Sequence, residues 1–271
     1  MKARKSLGIL LCSAVILLLA PVSIHAETYT YNYTYDGLTI SSDTLAPQYI
    51  SYIAGMISIK PMSNPNEYHF LVISGTTTSD SVTILADIDT HATIRLHNVT
   101  MIGKYCAFIV SKRADVGLQL AGVNTLISTG NYPAISVNEE NAILSIWPWE
   151  GASYLYAKGG PVNPGIKVGR TTWDPVSDHA TLNINGGTVV AVSGAEGGGG
   201  TGSAGIGGEN HQIGGEINIS GGFVVAVGDK AAGIGSGNDS EKQTKIGGEI
   251  NISGGTVIAV GGNEGAGIGG G

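Results

Sequence analysis

Three groups of residues in this sequence have the types and spacing that chemistry needs. The first is glycine. SAGIGGE (203–209), AAGIGSG (231–237) and GAGIGGG (265–271) are near-copies. Read alone, the last satisfies G-x-G-x-x-G, in which backbone N–H groups at a helix start cradle a phosphate. The second group is acid and base. A polysaccharide lyase needs clustered carboxylates to hold calcium and an Arg or Lys to take the proton beside a uronate carboxyl. A glycoside hydrolase needs two carboxylates at a fixed separation. Arg113-Ala-Asp115 is the one basic–acidic cluster near a predicted corner, and Asp87 and Asp89 in ILADIDTH share a face if that stretch is extended. The third group is aromatic: Trp147-Pro-Trp149, then Tyr154 and Tyr156, with Trp173 beyond. Flat rings on a rigid face stack on the C–H faces of sugars.

Context removes most of these readings. A phosphate-binding glycine loop follows a strand and opens a helix. After Gly205 and Gly233 the sequence runs through polar loops into another strand pattern, so the glycines read as corners and no nucleotide is expected. The acid–base groups lack the Asn-Thr-Asp, Asp-Asp and Gly-His-Gly clusters of polygalacturonase-like hydrolases. The G-G-x-G-x-D calcium repeat is also missing, so calcium has no motif behind it and no cofactor is expected. Glu216 and Glu249 occupy equivalent repeat positions and read as solvated strand starts. His91 and His97 flank one strand, with His179 aligned to His91, but no Cys or carboxylate completes a metal set. Cys106 in YCAFIV reads as a buried thiol. The aromatic group survives: its segment departs from the regular pattern around Pro148, Pro161, Pro164 and Pro175, and irregular loops on rigid scaffolds tend to carry function. Trp147, Trp149, Tyr154, Tyr156 and Trp173 are therefore the candidate glycan contacts. No catalytic or metal residue is assigned.

The elements that position these residues are repeats. ATLNINGGTVVAVSG (180–194), GEINISGGFVVAVGD (215–229) and GEINISGGTVIAVGG (248–262) align, and each is followed by A-G-I-G. In each, alternation at Leu182/Ile184, Ile217/Ile219 and Ile250/Ile252 marks a half-buried strand. A Gly-Gly pair marks a bend. A second strand, TVVAV, FVVAV or TVIAV, follows, and A-G-I-G then supplies one apolar residue between glycines. Three short strands per unit with no helix between them predict stacked coils, a parallel β-helix, with Ile206, Ile234 and Ile268 inside. Degenerate units extend upstream through 68–85, 91–103, 116–128 and 142–157. Six or seven coils at roughly 4.8 Å each make a rod about 30 Å long.

The N-terminus reads as a targeting segment. Lys2, Arg4 and Lys5 precede an apolar run over 7–22, with a cut expected after Ala26. The run is short for a membrane span of about 20 residues, so no stable membrane insertion is expected after cleavage. Cys12 lies within the run behind Leu11, which disfavours lipid attachment. Only Cys106 then remains, and the formal charge falls from −7 to −10. Such a surface disfavours nucleic acid. Export without disulfides fits a bacterial secreted or surface protein. The expected organisation is a signal peptide at 1–26, a strand-rich cap or lead-in at 27–65, degenerate coils at 66–178 and regular glycine-rich repeats at 179–271. The sequence stops inside a repeat, which reads as a piece of a longer chain.

Taken with the leader, the NINGGTVVAV/NISGGTVIAV units and AGIGGG corners resemble secreted bacterial surface proteins with G-G-T-V-x-A and G-A-G-I-G-G repeats. The likeness is close over 179–271 and loose over 66–178. It implies an all-β fold, a right-handed parallel β-helix (solenoid) of the pectin-lyase type, exported and surface-displayed. The expected function is a non-catalytic module that binds polysaccharide or cell-surface glycan, or acts as an adhesin. A lyase or hydrolase on the same fold is the alternative, and a structural stalk the second.

Overall fold

The computed structural model describes residues 29–137, 139–170, 180–195, 202–209, 213–238, 248–263 and 265–270; Trp173, His179 and the leader lie outside them. Among the described residues there is no α-helix, and none long and apolar enough to cross a membrane. The described residues form two sheets of twelve and ten strands.

The repeats explain both sheets. In each of the last three units a first leg and a second leg lie in the larger sheet: Thr181–Ile184 with Thr188–Gly194, Glu216–Ile219 with Phe223–Val227, and Glu249–Ile252 with Thr256–Val260. A third leg of two residues, Ile206–Gly207, Ile234–Gly235 or Ile268–Gly269, lies in the other. Each leg pairs in parallel with the same leg of the next unit, in strict register. Parallel pairing without helical crossovers requires the chain to return to the same edge on each pass, which is a solenoid-like arrangement.

Upstream the pattern continues with one difference from expectation. His91–Gly103, Asp115–Ser128 and Ile143–Pro161 each run through both legs as one strand, and a register shift replaces the break at the bend. The residues at the bend account for this. Where the late repeats have Gly-Gly, Asn98 takes φ 53° and its Oδ1 accepts the N–H of Val123 at 3.0 Å. Asn124, fully buried, accepts from Val99 N–H at 3.0 Å and donates to the carbonyls of Ala121 and Tyr154, both at 3.2 Å. These side chains supply the hydrogen bonds that the bulged backbone gives up.

The core is a set of ladders. On the first leg Leu71, Ile94, Leu118, Ile146, Ile184 and Ile219 stack in register, each 0–1% exposed. On the third leg Ile57, Ile84, Phe108, Ile135, Ile166, Ile206 and Ile234 do the same. Burial of each such side chain contributes ~1.5–3 kcal/mol. Ile268 continues the ladder but remains 47% exposed.

The glycine corners follow from this packing. Gly207 and Gly235 have φ of +129° and +139°, and a Cβ on either would lie 1.9 Å from the carbonyl oxygen of the next corner glycine. Only glycine satisfies both the dihedral and the approach. The A-G-I-G motif is thus a stacking device with its isoleucine pointing inward.

At the N-terminal side the pairing turns antiparallel. Tyr31–Tyr35 pairs Leu38–Ser42, which pairs His69–Thr77, and Ile50–Ile53 pairs Met56–Ile59. Tyr33, Tyr35 and Tyr52 from these segments, with Tyr49 from the 3-10 turn Pro47–Tyr49, pack against the core, and Tyr33 donates to the Leu45 carbonyl at 2.8 Å.

Candidate functional site

The aromatic group divides at the bend. Trp147 lies on the outer side of the first leg, in register with Gln119, and is 47% exposed. Its indole Nε1 lies over Gly117 on the rung below, 4.0 Å from where a Cβ would stand, which is ordinary van der Waals contact. Residues 149–152 then stand against the single Ala121 of the neighbouring strand, so the chain bulges outward, with Gly151 at φ 73°. This bulge folds Trp149 back over Arg95, whose Cζ lies 3.4 Å from the indole centroid. Arg95 also sits 5.2 Å over the Phe70 ring, and its Nε donates to Gln119 Oε1 at 3.3 Å. Arg95 is only 6% exposed. A desolvated cation–π contact of this kind is worth ~2 kcal/mol. One ring of Trp149 is therefore committed within the protein, although 37% of the residue faces solvent.

Tyr154 and Tyr156 lie beyond the bend, on the second leg, where Tyr156 sits between Thr125 and Val190. The four-residue bulge separates them from Trp147 along the strand. Trp173 falls outside the described residues.

The surface beside Trp147 is a polar ladder. Asn183 Nδ2 donates to Ser145 Oγ, Asn218 Nδ2 to Asn183 Oδ1 and Asn251 Nδ2 to Asn218 Oδ1, each at 3.0 Å. Glu216 accepts from Asn218 Nδ2 at 2.9 Å and from Thr181 Oγ1 at 3.1 Å, while Ser220 Oγ donates to Asn185 Oδ1 at 2.8 Å. Glu216 and Glu249 are in register on adjacent rungs. The repeat E-I-N-I-S thus builds rows of carboxylate, amide and hydroxyl at one strand spacing, held in fixed rotamers by one another. The sequence shows the two glutamates as solvated strand starts; only the stacking reveals that the intervening asparagines tie them into a lattice.

The acid–base groups are arranged differently from the expected strand face. Asp87 and Asp89 belong to a turn after Thr83–Ala86, with Asp89 at φ 60°. Asp87 Oδ1 accepts the N–H of Ile88 at 2.8 Å. Arg113 reaches Asp89 with two hydrogen bonds, Nε to Oδ1 at 2.6 Å and Nη2 to Oδ2 at 2.8 Å. Those bonds hold the Asp89 carboxyl below its ordinary range and raise the guanidinium above its own. Asp89 is thereby kept ionised, the opposite of what a general acid requires, and Arg113 is held as the cation. Asp115 starts the next strand, in register with His91 and Ile143. Lys112 Nζ pairs with Glu140 at 2.6 Å in the same stack of turns.

Among the described residues no three of His, Cys, Asp and Glu converge to hold a metal ion. Cys106 is buried, and burial pushes its thiol up to about 12. The Lys167–Glu209 ion pair, 2.9 Å apart with Lys167 5% exposed, carries no sequence signal because its partners are joined only by the stacking of the third leg.

In comparisons with known proteins, the family described as "Beta helix repeat" matches residues 182–209, 217–238 and 250–271, one segment for each regular unit. No curated protein and no solved structure matches the chain. The family description extends to the repeat architecture and names no ligand or activity.

Proposed function

We propose that the chain is an exported, non-catalytic right-handed β-helix of six or seven coils that binds polysaccharide through the outer face of its first leg. The leader at 1–26, cut after Ala26, supports export. The observation that carries the binding reading is Trp147, a half-exposed indole on a rigid parallel rung, beside the ordered Ser145–Asn183–Asn218–Asn251 ladder and the Glu216/Glu249 row. An apolar platform next to pre-oriented acceptors and donors suits a sugar ring, which offers a C–H face and an edge of hydroxyls. Trp149 supports this platform through Arg95, and Tyr154 and Tyr156 lie on another leg. The ion pairing of Asp89 with Arg113 supports the non-catalytic part.

The test is retention on insoluble polysaccharide. Trp147→Ala abolishes retention while the β-sheet circular dichroism and the urea midpoint stay as they are in the unsubstituted chain. Unchanged retention by a folded Trp147→Ala chain refutes the assignment. The intact mass of the exported product reports cleavage after Ala26.

The asparagine ladder favours one further reading, a stalk. Its amides are largely spent on one another, as they would be if stacking were their whole purpose. A chain that is retained on no polysaccharide supports that reading.

A further inference from the structure

The outward positions of the second leg differ from those of the first. In Thr188–Gly194, Phe223–Val227 and Thr256–Val260 the inward residues are mainly Val and Ala, and the outward residues are apolar too except Thr188 and Thr256. Tyr156, Val190, Val225 and Ile258 form one outward column in strict register. Val192, Val227 and Val260 form the column on one side of it, and Phe223, 39% exposed, stands between Thr188 and Thr256 in the column on the other. The same rungs carry Glu, Asn and Ser outward on the first leg. The repeat thus builds one polar face and one apolar face on a single sheet. Parallel strands that are apolar on both sides belong to sheets covered on both sides. Among the described outward positions of this leg, from the strand of Thr100 to that of Ile258, Lys158 is the one charged residue.

We propose that this face is the interface of a two-fold dimer, covered by the second leg of another copy of the chain. Three considerations select a second copy. The first is charge. The chain carries a formal charge of −7, so two copies approach most favourably where charges are fewest, and this face is nearly free of them. The second is area. Six rungs at ~4.8 Å and about five residues at ~3.3 Å give a flat footprint of roughly 475 Å² per copy. Two copies bury roughly 950 Å² before side-chain relief is added, close to the ~1,000 Å² that a specific interface must clear. The third is symmetry. A two-fold axis lying in the interface plane, within about 15° of the strand direction, runs the two solenoids antiparallel and crosses their strands at the ~30° usual for packed sheets. The axis falls between the rungs of Tyr156 and Val190, the middle of the six. It sets the threonine-bearing rungs of one copy, Thr100 and Thr125, against the Ile258 and Val225 rungs of the other. Tyr156 then lies within the dimer, and the Trp147 face remains free for a ligand, so this inference stands or falls separately from the glycan reading.

Sedimentation velocity of the purified full chain across micromolar concentrations tests it. The expected mass is twice that of the purified chain, 27.6 kDa with the leader and less once it is cut. Val225→Asp, which buries two carboxylates in the contact, is expected to sediment at half that mass with unchanged circular dichroism. If the aspartate chain fails to fold, Val225→Thr keeps shape and strand preference and is expected to weaken the dimer about tenfold. A wild-type chain that stays monomeric overturns the proposal, even if that face then binds polysaccharide. A folded Val225→Asp chain that remains dimeric overturns it too, as does unaltered dimer affinity in Val225→Thr.

Discussion

Substituting alanine at two equivalent corners separates the two demands placed on the A-G-I-G glycines. Gly269 has φ +123° and nothing within 4 Å of where a Cβ would stand, so Gly269→Ala suffers backbone strain alone. That strain costs ~1–3 kcal/mol. Gly235 has nearly the same dihedral, +139°, but its Cβ would lie 1.9 Å from the Gly269 carbonyl oxygen. Separating the two coils enough to relieve that contact stretches the bonds on either side, Ile234 N–H to Gly267 C=O at 3.0 Å and Ser236 N–H to Gly269 C=O at 3.1 Å. At ~1 kcal/mol each, Gly235→Ala should cost ~2 kcal/mol more than Gly269→Ala. With a urea m-value of ~2 kcal/mol/M the two midpoints differ by ~1 M. Equal losses at the two positions would refute the argument, because the corner would then need glycine for its dihedral and not for the approach of successive coils.

Three other outcomes follow from the same geometry. Asn124→Ala leaves the buried Val99 N–H without its acceptor and should cost ~1–3 kcal/mol in urea unfolding, whereas loss of the exposed Asn66 side chain should cost little. Burial lowers the pKa of His69 below 6.5, against a smaller opposing effect from its hydrogen bond to the Lys60 carbonyl. The unfolded chain therefore takes up this proton first: the contribution of neutral His69 is fully present above about pH 6.5, is lost as pH falls below it, and should vanish from the pH profile of His69→Gln. The Cys106 thiol, raised to about 12, should resist alkylation at pH 8 in the native chain and react once the chain is unfolded in urea.

The repeat architecture is readable because it is written almost without noise over 180–270. Ile206, Ile234 and Ile268 are each flanked by the same glycines, and that context has no use for a helix. Upstream, Asn98 and Asn124 take over the work of the Gly-Gly bend, so the strands run continuously and the three-leg pattern blurs. The candidate site rests on closeness in sequence, which a solenoid bend defeats. Two residues apart on a strand means the same face, but Trp147 and Tyr154 straddle a four-residue bulge and lie on different legs. The contact of Trp149 with Arg95 joins residues two rungs apart and has no local signature. The outward valines of the second leg are in plain view as TVVAV, FVVAV and TVIAV. Their unbroken apolar run signals a sheet covered on both faces, which is more than the placement of a strand requires.

The most direct test of the functional account is a polysaccharide panel, run with and without calcium, that scores retention of the chain and release of oligosaccharide together. The account predicts retention of the intact chain with no product under either condition. Oligosaccharide release would contradict it and return attention to the turns around Asp87, Asp89 and Arg113; failure to be retained on any polysaccharide would contradict it in favour of a stalk.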